Sequence, residues 1–324
     1  MQDKYIMKAI EYARNGMFVQ PELTKEIISK IDTSINASIL VLFSYEMLPI
    51  LSGLGYQNVT LAFDKPRTSI YNIAKCYRYQ VKTFEEITNM KFDVVIGNPP
   101  YQKTRTDGSR CDQASNLWSA FWSKSIKDWS KDNGKVALIT PVTWLAPSAD
   151  LRGEYKINGH KRLWDVFNSY SSYADVINVS KHFNAGSTFG YVYVDKASHD
   201  GLKFSDGATT ELGFLPKSGL EEVLKKIDLE NNLESHFAVH QTHLPSSKFS
   251  VCVPISKALK PELIRIVYKP KKTKLADIYV YVNNKKEAKK VQSTIIDAID
   301  VLRTHCRYAG FLNIKVVKLL KYVE

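Results

Sequence analysis

Phe92-Asp93-Val94-Val95-Ile96-Gly97-Asn98-Pro99-Pro100-Tyr101 is the stretch that decides how this sequence folds. An apolar run, Val94 to Ile96, stops at Gly97 and gives way to an amide, two prolines and an aromatic ring. A short, unbroken apolar run reads as a strand buried on both faces, as in a parallel sheet. The prolines fix φ and carry no N–H, so the stiffened backbone presents carbonyls as acceptors. Asn98 adds an amide oxygen and Tyr101 a flat face. Rigid acceptors beside a stacking surface suit the exocyclic amino group of a planar base. The alternative reading is a Pro-Pro loop leaving a core strand.

Working outward, Ser38 to Phe43 and Val59 to Phe63 are apolar strand runs, and Tyr79 to Phe84 is a less apolar third. Residues 1–15 form an amphipathic helical pattern that Gly16 breaks, and Pro21-Glu22 opens a second helix to about Asp32. Ser44 reads as the cap of a helix over Tyr45 to Leu54, ended by Gly55, and residues 66–77 form the next helix. Downstream come a polar loop over 102–115 and an aromatic-rich helix over 116–130. Asn133-Gly134 reads as a turn, and Val136 to Thr140 as a strand. Further strands are expected at Val176 to Val179 and, returning antiparallel, at Thr188 to Val194. Strand and helix alternate, which predicts a parallel sheet with right-handed crossovers, a doubly wound α/β fold. Ligands in such sheets bind beyond the carboxyl ends of the strands, where Ser44, Asp64 and Asn98 all fall.

The chain has 324 residues, enough for two domains, and its 44% hydrophobic content is ordinary for a soluble protein. No apolar run is long enough to cross a membrane and no signal peptide is seen. The four cysteines, Cys76, Cys111, Cys252 and Cys306, are scattered, which predicts neither disulfides nor a zinc ribbon and fits a reducing cytoplasm. His236, His240 and His243 lack the companions of a metal site, so no metal is expected. The formal net charge of +12 favours a polyanionic partner.

The motif at Asn98-Pro99-Pro100-Tyr101 resembles the catalytic motif of N6-adenine-specific DNA methyltransferases, in particular the γ-type, Eco57I-like restriction-modification methylases. The order of elements beyond it, strand, Ile139-Thr140-Pro141, Arg152-Gly153, strand, Phe183 turn and strand, is similar to that group. The resemblance implies S-adenosylmethionine as cofactor and a flipped-out adenine in double-stranded DNA as substrate. It implies that Asn98 and Pro99 accept the amino hydrogens, with Pro100 stiffening the turn, and that Tyr101 stacks on the base with Phe183 against its edge or other face. For the cofactor it implies a wrapping element at Phe18 and Pro21 and a turn at Phe43, Ser44 and Glu46. Asp64 would bind the ribose hydroxyls, Thr83 and Phe84 would follow the third strand, and Asn98 would close the pocket. The turn after the first strand departs from the family pattern, because it has no glycine, and Thr83 stands where an acid is usual.

The expected organisation is a Rossmann-like methyltransferase domain over 1–200, with N-terminal helices and cofactor-wrapping loop over 1–35. A smaller α+β target-recognition part over 201–324 follows. Lys103, Arg105 and Arg110 in the polar loop, and Lys271, Lys272 and Lys274 beside Tyr268 and Tyr279, are the candidate DNA contacts. A solvated basic face is the alternative for the lysines. The expected protein is a cytoplasmic monomer, with a restriction endonuclease as a possible companion. Two other readings compete: a methyltransferase acting on RNA or a protein glutamine, and a non-catalytic methyltransferase-like DNA-binding protein.

Overall fold

The computed structural model describes residues 19–101, 117–145, 151, 153–176, 179–182, 189–205, 220–239, 248–254, 261–268, 277–305 and 317–322. The chain divides into two compact units, Met1–Trp144 with Ser148–Thr209, and Leu145–Pro147 with Thr210–Glu324.

The first unit is built on an eight-stranded sheet. Its strands are β1 (Ile39–Leu42), β2 (Val59–Phe63), β3 (Gln80–Thr83), β4 (Phe92–Gly97), β5 (Ser130–Pro141), β6 (Ser171–Asp175), β7 (Phe189–Asp195) and β8 (Leu202–Phe204). The order across the sheet is β3-β2-β1-β4-β5-β7-β6-β8. Strands β1 to β5 pair in parallel, and β7 runs antiparallel to both neighbours. The chain winds from β1 outward to β3, then restarts at β4 on the other side of β1. That reversal is a topological switch point, and it sets the carboxyl ends of β1 and β4 side by side.

Alternation along each strand sends successive side chains to opposite faces. Ile39 and Val41, Val59 and Leu61, and Val94 and Ile96 share one core with helices α1 (Pro21–Ile31), α2 (Leu48–Gly53) and α3 (Thr68–Cys76). Helix α1 buries Leu23, Ile27, Ile28 and Ile31 at helical spacing. Each such side chain contributes about 1.5–3 kcal/mol on full burial. Two polar contacts fix the helix: the Tyr191 hydroxyl on β7 donates to Glu26 Oε1 at 3.0 Å, and Lys135 Nζ donates to the carbonyl of Ile31 at 2.7 Å. Burial, followed by the neighbouring Glu26 carboxylate, pushes the Tyr191 hydroxyl far above its ordinary pKa, so it stays a donor. Helices α4 (Leu117–Lys124) and α5 (Leu163–Asn168) meet through Trp122 and Phe167, whose rings pack edge to face at 4.8 Å. Trp122 Nε1 also donates to Thr140 Oγ1 on β5 at 3.3 Å.

The amino ends of β1 and β4 are clamped by Asp93. Its Oδ2 accepts from the Ser38 N–H at 2.9 Å and the Ser38 hydroxyl at 2.7 Å, and its Oδ1 meets Lys131 Nζ at 2.7 Å. Partial burial alone would raise the Asp93 pKa, but the Lys131 and Ser38 contacts outweigh it and hold the pKa at about 2. The folded value lies below the ordinary one, so the clamp is at full strength above the ordinary carboxylate pKa. It weakens as pH falls from about 4 towards 2. Asp93→Asn is expected to lower stability at pH 7 by about 1–2 kcal/mol, discounted for the exposure of the ion pair. In urea denaturation the gap from wild type should close near pH 2. A pH-independent gap would count against the clamp.

Several elements differ from the sequence-based expectation. The helix expected over 116–130 is α4 followed by a wide π-type turn, Ser125–Trp129, whose Ile126 carbonyl accepts from Lys196 Nζ at 2.7 Å. Asn133-Gly134 lies inside β5 and does not precede it. Phe92 pairs with Ser130 and Val94 with Lys135, so the strand bulges between these pairs. The strand expected at Val176 to Val179 forms one step earlier, as β6, and Val179–His182 is a short 3₁₀ turn. Its Ser-Ser-Tyr-Ala-Asp sequence lacks an apolar run, yet Ser172, Ala174 and Asp175 are buried.

The second unit contains a four-stranded antiparallel sheet, β9 (Phe237–Val239), β10 (Phe249–Pro254), β11 (Arg265–Tyr268) and β12 (Asp277–Val282), in the order β11-β10-β12-β9. Short helix α6 (Leu220–Leu224) precedes it, and helix α7 (Lys285–His305) follows. Helix α7 buries Ala288, Val291, Ile295, Ala298 and Ile299. Asn284 and Glu287 form a reciprocal cap at its start: Asn284 Oδ1 accepts from the Glu287 N–H at 2.9 Å, and Glu287 Oε2 accepts from the Asn283 N–H at 2.7 Å. Among the described residues no helix is long and apolar enough to cross a membrane, and no group of three His, Cys, Asp or Glu side chains has metal-ligand geometry.

Candidate active site

The site grows from the two strand ends at the switch point. The β1–β4 ladder stops at Leu42 opposite Gly97. Gly97 has φ +152°, and a Cβ there would lie 2.3 Å from the Leu42 carbonyl oxygen. Only glycine allows this approach, which swings the next residues out of the sheet. Asn98 follows, 2% exposed; Pro99 is buried, Pro100 exposed and Tyr101 half-buried.

Tyr101 folds back over Asn98, and its hydroxyl donates to Asn98 Oδ1 at 2.5 Å. The Tyr101 ring stacks on Phe189 of β7, with centroids 5.1 Å apart and planes at 29°. The Tyr101 carbonyl accepts from the Leu117 N–H at 3.1 Å, closing the loop at the start of α4. Asn98 and Tyr101, three apart in sequence, thus meet directly. Phe189 was not among the sequence candidates. It opens an alternating strand run, the pattern of an ordinary core residue, and only the antiparallel return of β7 beside β5 brings it under Tyr101.

The turn after β1 carries the other half. Phe43 has φ +60°, a left-handed conformation that costs a non-glycine residue about 1–2 kcal/mol. Its ring sits within 5.2 Å of Phe63, 5.3 Å of Phe84 and 5.5 Å of Phe121, a cluster that offsets the strain. Ser44 does not cap the following helix as expected. Its side chain makes no cap hydrogen bond to the 3₁₀ turn Tyr45–Met47. Instead Ser44 Oγ accepts from the Asn98 N–H at 2.8 Å, because the left-handed turn aims the hydroxyl across to β4.

Glu46 is 1% exposed, and its Oε1 accepts from the Val19 N–H at 3.2 Å, tying the segment ahead of Pro21 to this turn. Pro21 opens α1. Asp64 is exposed at the carboxyl end of β2, beside the turn, since β2 pairs with β1 through Leu42 and Ala62. Thr83 is engaged locally: its hydroxyl accepts from the Glu86 N–H at 3.3 Å, and its N–H donates to Glu86 Oε2 at 2.7 Å. These contacts, the Thr83 backbone contact foremost, lower the Glu86 pKa. Phe84 stacks on Trp129 at 5.5 Å and lines a cavity of about 690 Å³ with Phe121, Lys124, Asp128 and Tyr155. Phe18, Phe183, Lys103, Arg105, Arg110, Lys271, Lys272 and Lys274 lie outside the described residues.

No curated protein matches the sequence. Among solved structures, the EcoKI type I restriction enzyme M protein aligns at 13% identity and a TM-score of 0.42, over 58% of this chain and 48% of that one. A type I restriction-modification methyltransferase subunit from Streptococcus thermophilus aligns at 17% identity and a TM-score of 0.38, over 57% and 46%. An O-methyltransferase from Bacillus cereus aligns at 14% identity and a TM-score of 0.38, over 58% and 88%. The chain therefore spans about half the length of the two restriction-enzyme proteins. Residues 13–173, which carry β1 to β5 and the Asn98–Tyr101 turn, match the family described as Eco57I restriction-modification methylase. Residues 13–173, just under half of the chain, are therefore identified with the Eco57I restriction-modification methylase family.

Proposed function

We propose that the protein transfers a methyl group from S-adenosylmethionine to the N6 amino group of an adenine swung out of double-stranded DNA. The observation that carries the reading is the Asn98–Tyr101 turn, with a buried amide oxygen, a proline carbonyl and a stacking ring gathered at the switch point. The exocyclic nitrogen of adenine is a poor nucleophile, since its lone pair is delocalised into the ring. Asn98 Oδ1 and the Pro99 carbonyl accept its hydrogens, which favours tetrahedral nitrogen and frees the lone pair for attack. Tyr101 takes the base on its ring, where stacking contributes about 1–3 kcal/mol against the cost of unstacking.

The donor set around the β1 and β2 ends suits the cofactor. Asp64 is an exposed acid for the ribose hydroxyls, and Phe84 offers a ring beside that of Phe43. Glu46, Phe43, Asn98 and the Pro21 segment surround the turn; Phe18 and Thr83 are assigned to the same pocket. When bound, the cofactor supplies an electrophilic methyl on sulfonium. The basic residues Lys103, Arg105, Arg110, Lys271, Lys272 and Lys274 are assigned to DNA phosphates, and Phe183 to the far side of the base.

The test is incubation with tritiated S-adenosylmethionine and a mixture of unmethylated genomic DNA, RNA and protein, followed by digestion to nucleosides. Label in N6-methyladenine from DNA is expected. Label confined to RNA or protein would overturn the assignment, and no transfer at all would favour a binding protein without catalysis.

The Tyr101 hydroxyl occupies the oxygen that the substrate amino group needs. Tyr101→Phe keeps the ring and removes that competitor. The variant is expected to raise kcat by about 2–10-fold, the net value of one hydrogen bond, with the KM for DNA little changed. A raised KM would show that the hydroxyl serves the bound base.

A further inference from the structure

We propose that Ser44 is a positioning residue for base recognition, setting the Asn98-Pro99 acceptor pair through the Asn98 backbone; this rests on the methyltransferase reading above. In a parallel sheet each strand N–H is satisfied by a carbonyl of its neighbour. Here that pattern ends at Leu42 and Gly97, and one residue later Ser44 Oγ takes the carbonyl's place at 2.8 Å from the Asn98 nitrogen. Ser44 is fully buried and Asn98 nearly so, which makes this bond costly to lose.

Its weight also follows from covalent chemistry. Asn98, Pro99 and Pro100 possess one main-chain N–H between them, that of Asn98. The Ser44 hydroxyl is therefore the partner of the single main-chain donor in the acceptor cluster. The Phe43 turn delivers it: φ +60° at Phe43 turns the chain so that Ser44 faces β4, while the Phe43 ring is held by Phe63, Phe84 and Phe121. A serine at a glycine-less turn thus acts on the target-base half of the site through Asn98, whereas its place in the sequence suggested a cofactor contact.

Ser44→Ala in the full chain tests this through three readouts. Amide hydrogen exchange, followed by mass spectrometry and NMR, should show the Asn98 N–H exchanging at least about tenfold faster. Affinity for S-adenosylmethionine by calorimetry should stay within about twofold of wild type, while kcat with tritiated cofactor and unmethylated genomic DNA falls about 10–100-fold, as expected for a small displacement of reacting groups. Weakened cofactor binding with Asn98 still protected would overturn the proposal and return Ser44 to the cofactor pocket; an unchanged kcat would overturn it as well. If wild-type protein transfers no methyl group, the methyltransferase reading fails and the positioning role with it, whereas unchanged Asn98 exchange in active Ser44→Ala protein sinks only the Ser44 anchor. Should Ser44→Ala not fold, Ser44→Cys keeps the side-chain connectivity with a slightly larger atom, weakens the acceptor and reports the same three quantities.

Discussion

Asn98→Ala is expected to lose methyl transfer by about 10³-fold or more, roughly 4 kcal/mol of transition-state stabilisation, while keeping its fold and its affinity for DNA. In the proposed reaction the amide oxygen is the acceptor for the reacting amino group, and the burial of Asn98 strengthens it, since little water competes there. The substitution leaves the main-chain anchor in place: alanine still has an N–H to donate to Ser44 Oγ. The loss therefore falls on kcat, with little change in KM, the pattern of an interaction made chiefly in the transition state. Initial rates with tritiated cofactor and a DNA-binding titration under the same salt conditions measure both quantities. A near-normal rate would remove Asn98 from the chemistry.

Gly97→Ala carries the second large effect, on folding. The added Cβ would stand 2.3 Å from the Leu42 carbonyl oxygen and 2.9 Å from the Leu42 nitrogen, both main-chain atoms of the central strand. A flexible side chain could swing aside; a strand in the middle of an eight-stranded sheet cannot, short of breaking the ladder that joins Leu42 to Gly97. The positive φ adds strain of its own. We expect a loss of about 3–5 kcal/mol, a large share of a typical domain's stability, read as a lower urea midpoint and reduced soluble yield. Wild-type stability in this variant would show that β1 and β4 can separate at their carboxyl ends.

The parts of the fold legible in the sequence were those decided by local patterning. Strands β1, β2 and β4 are short, continuous apolar runs, and the Asn98–Tyr101 pair shares one turn, so residues adjacent in sequence carry the signal. Strand β6 is polar and carries no apolar signal of its own, and its burial comes from neighbours on both sides. Asn133-Gly134 reads as a turn although it lies in the β5 bulge, because the dipeptide has the same chemistry in either setting. Ser44 and Asn98 meet across 54 residues, through a left-handed phenylalanine that no periodicity announces. Phe189 reaches Tyr101 through the antiparallel return of β7.

The placement of the aromatic residues has an optical consequence. All five tryptophans, Trp118, Trp122, Trp129, Trp144 and Trp164, belong to the first unit and are at most 6% exposed. Indole emission therefore reports on that unit alone, while the second, whose chromophores are tyrosines and phenylalanines, stays dark at excitation wavelengths selective for tryptophan. A single denaturation curve followed by emission would describe the sheet that carries Asn98, and a far-ultraviolet signal recorded in parallel would add the other unit.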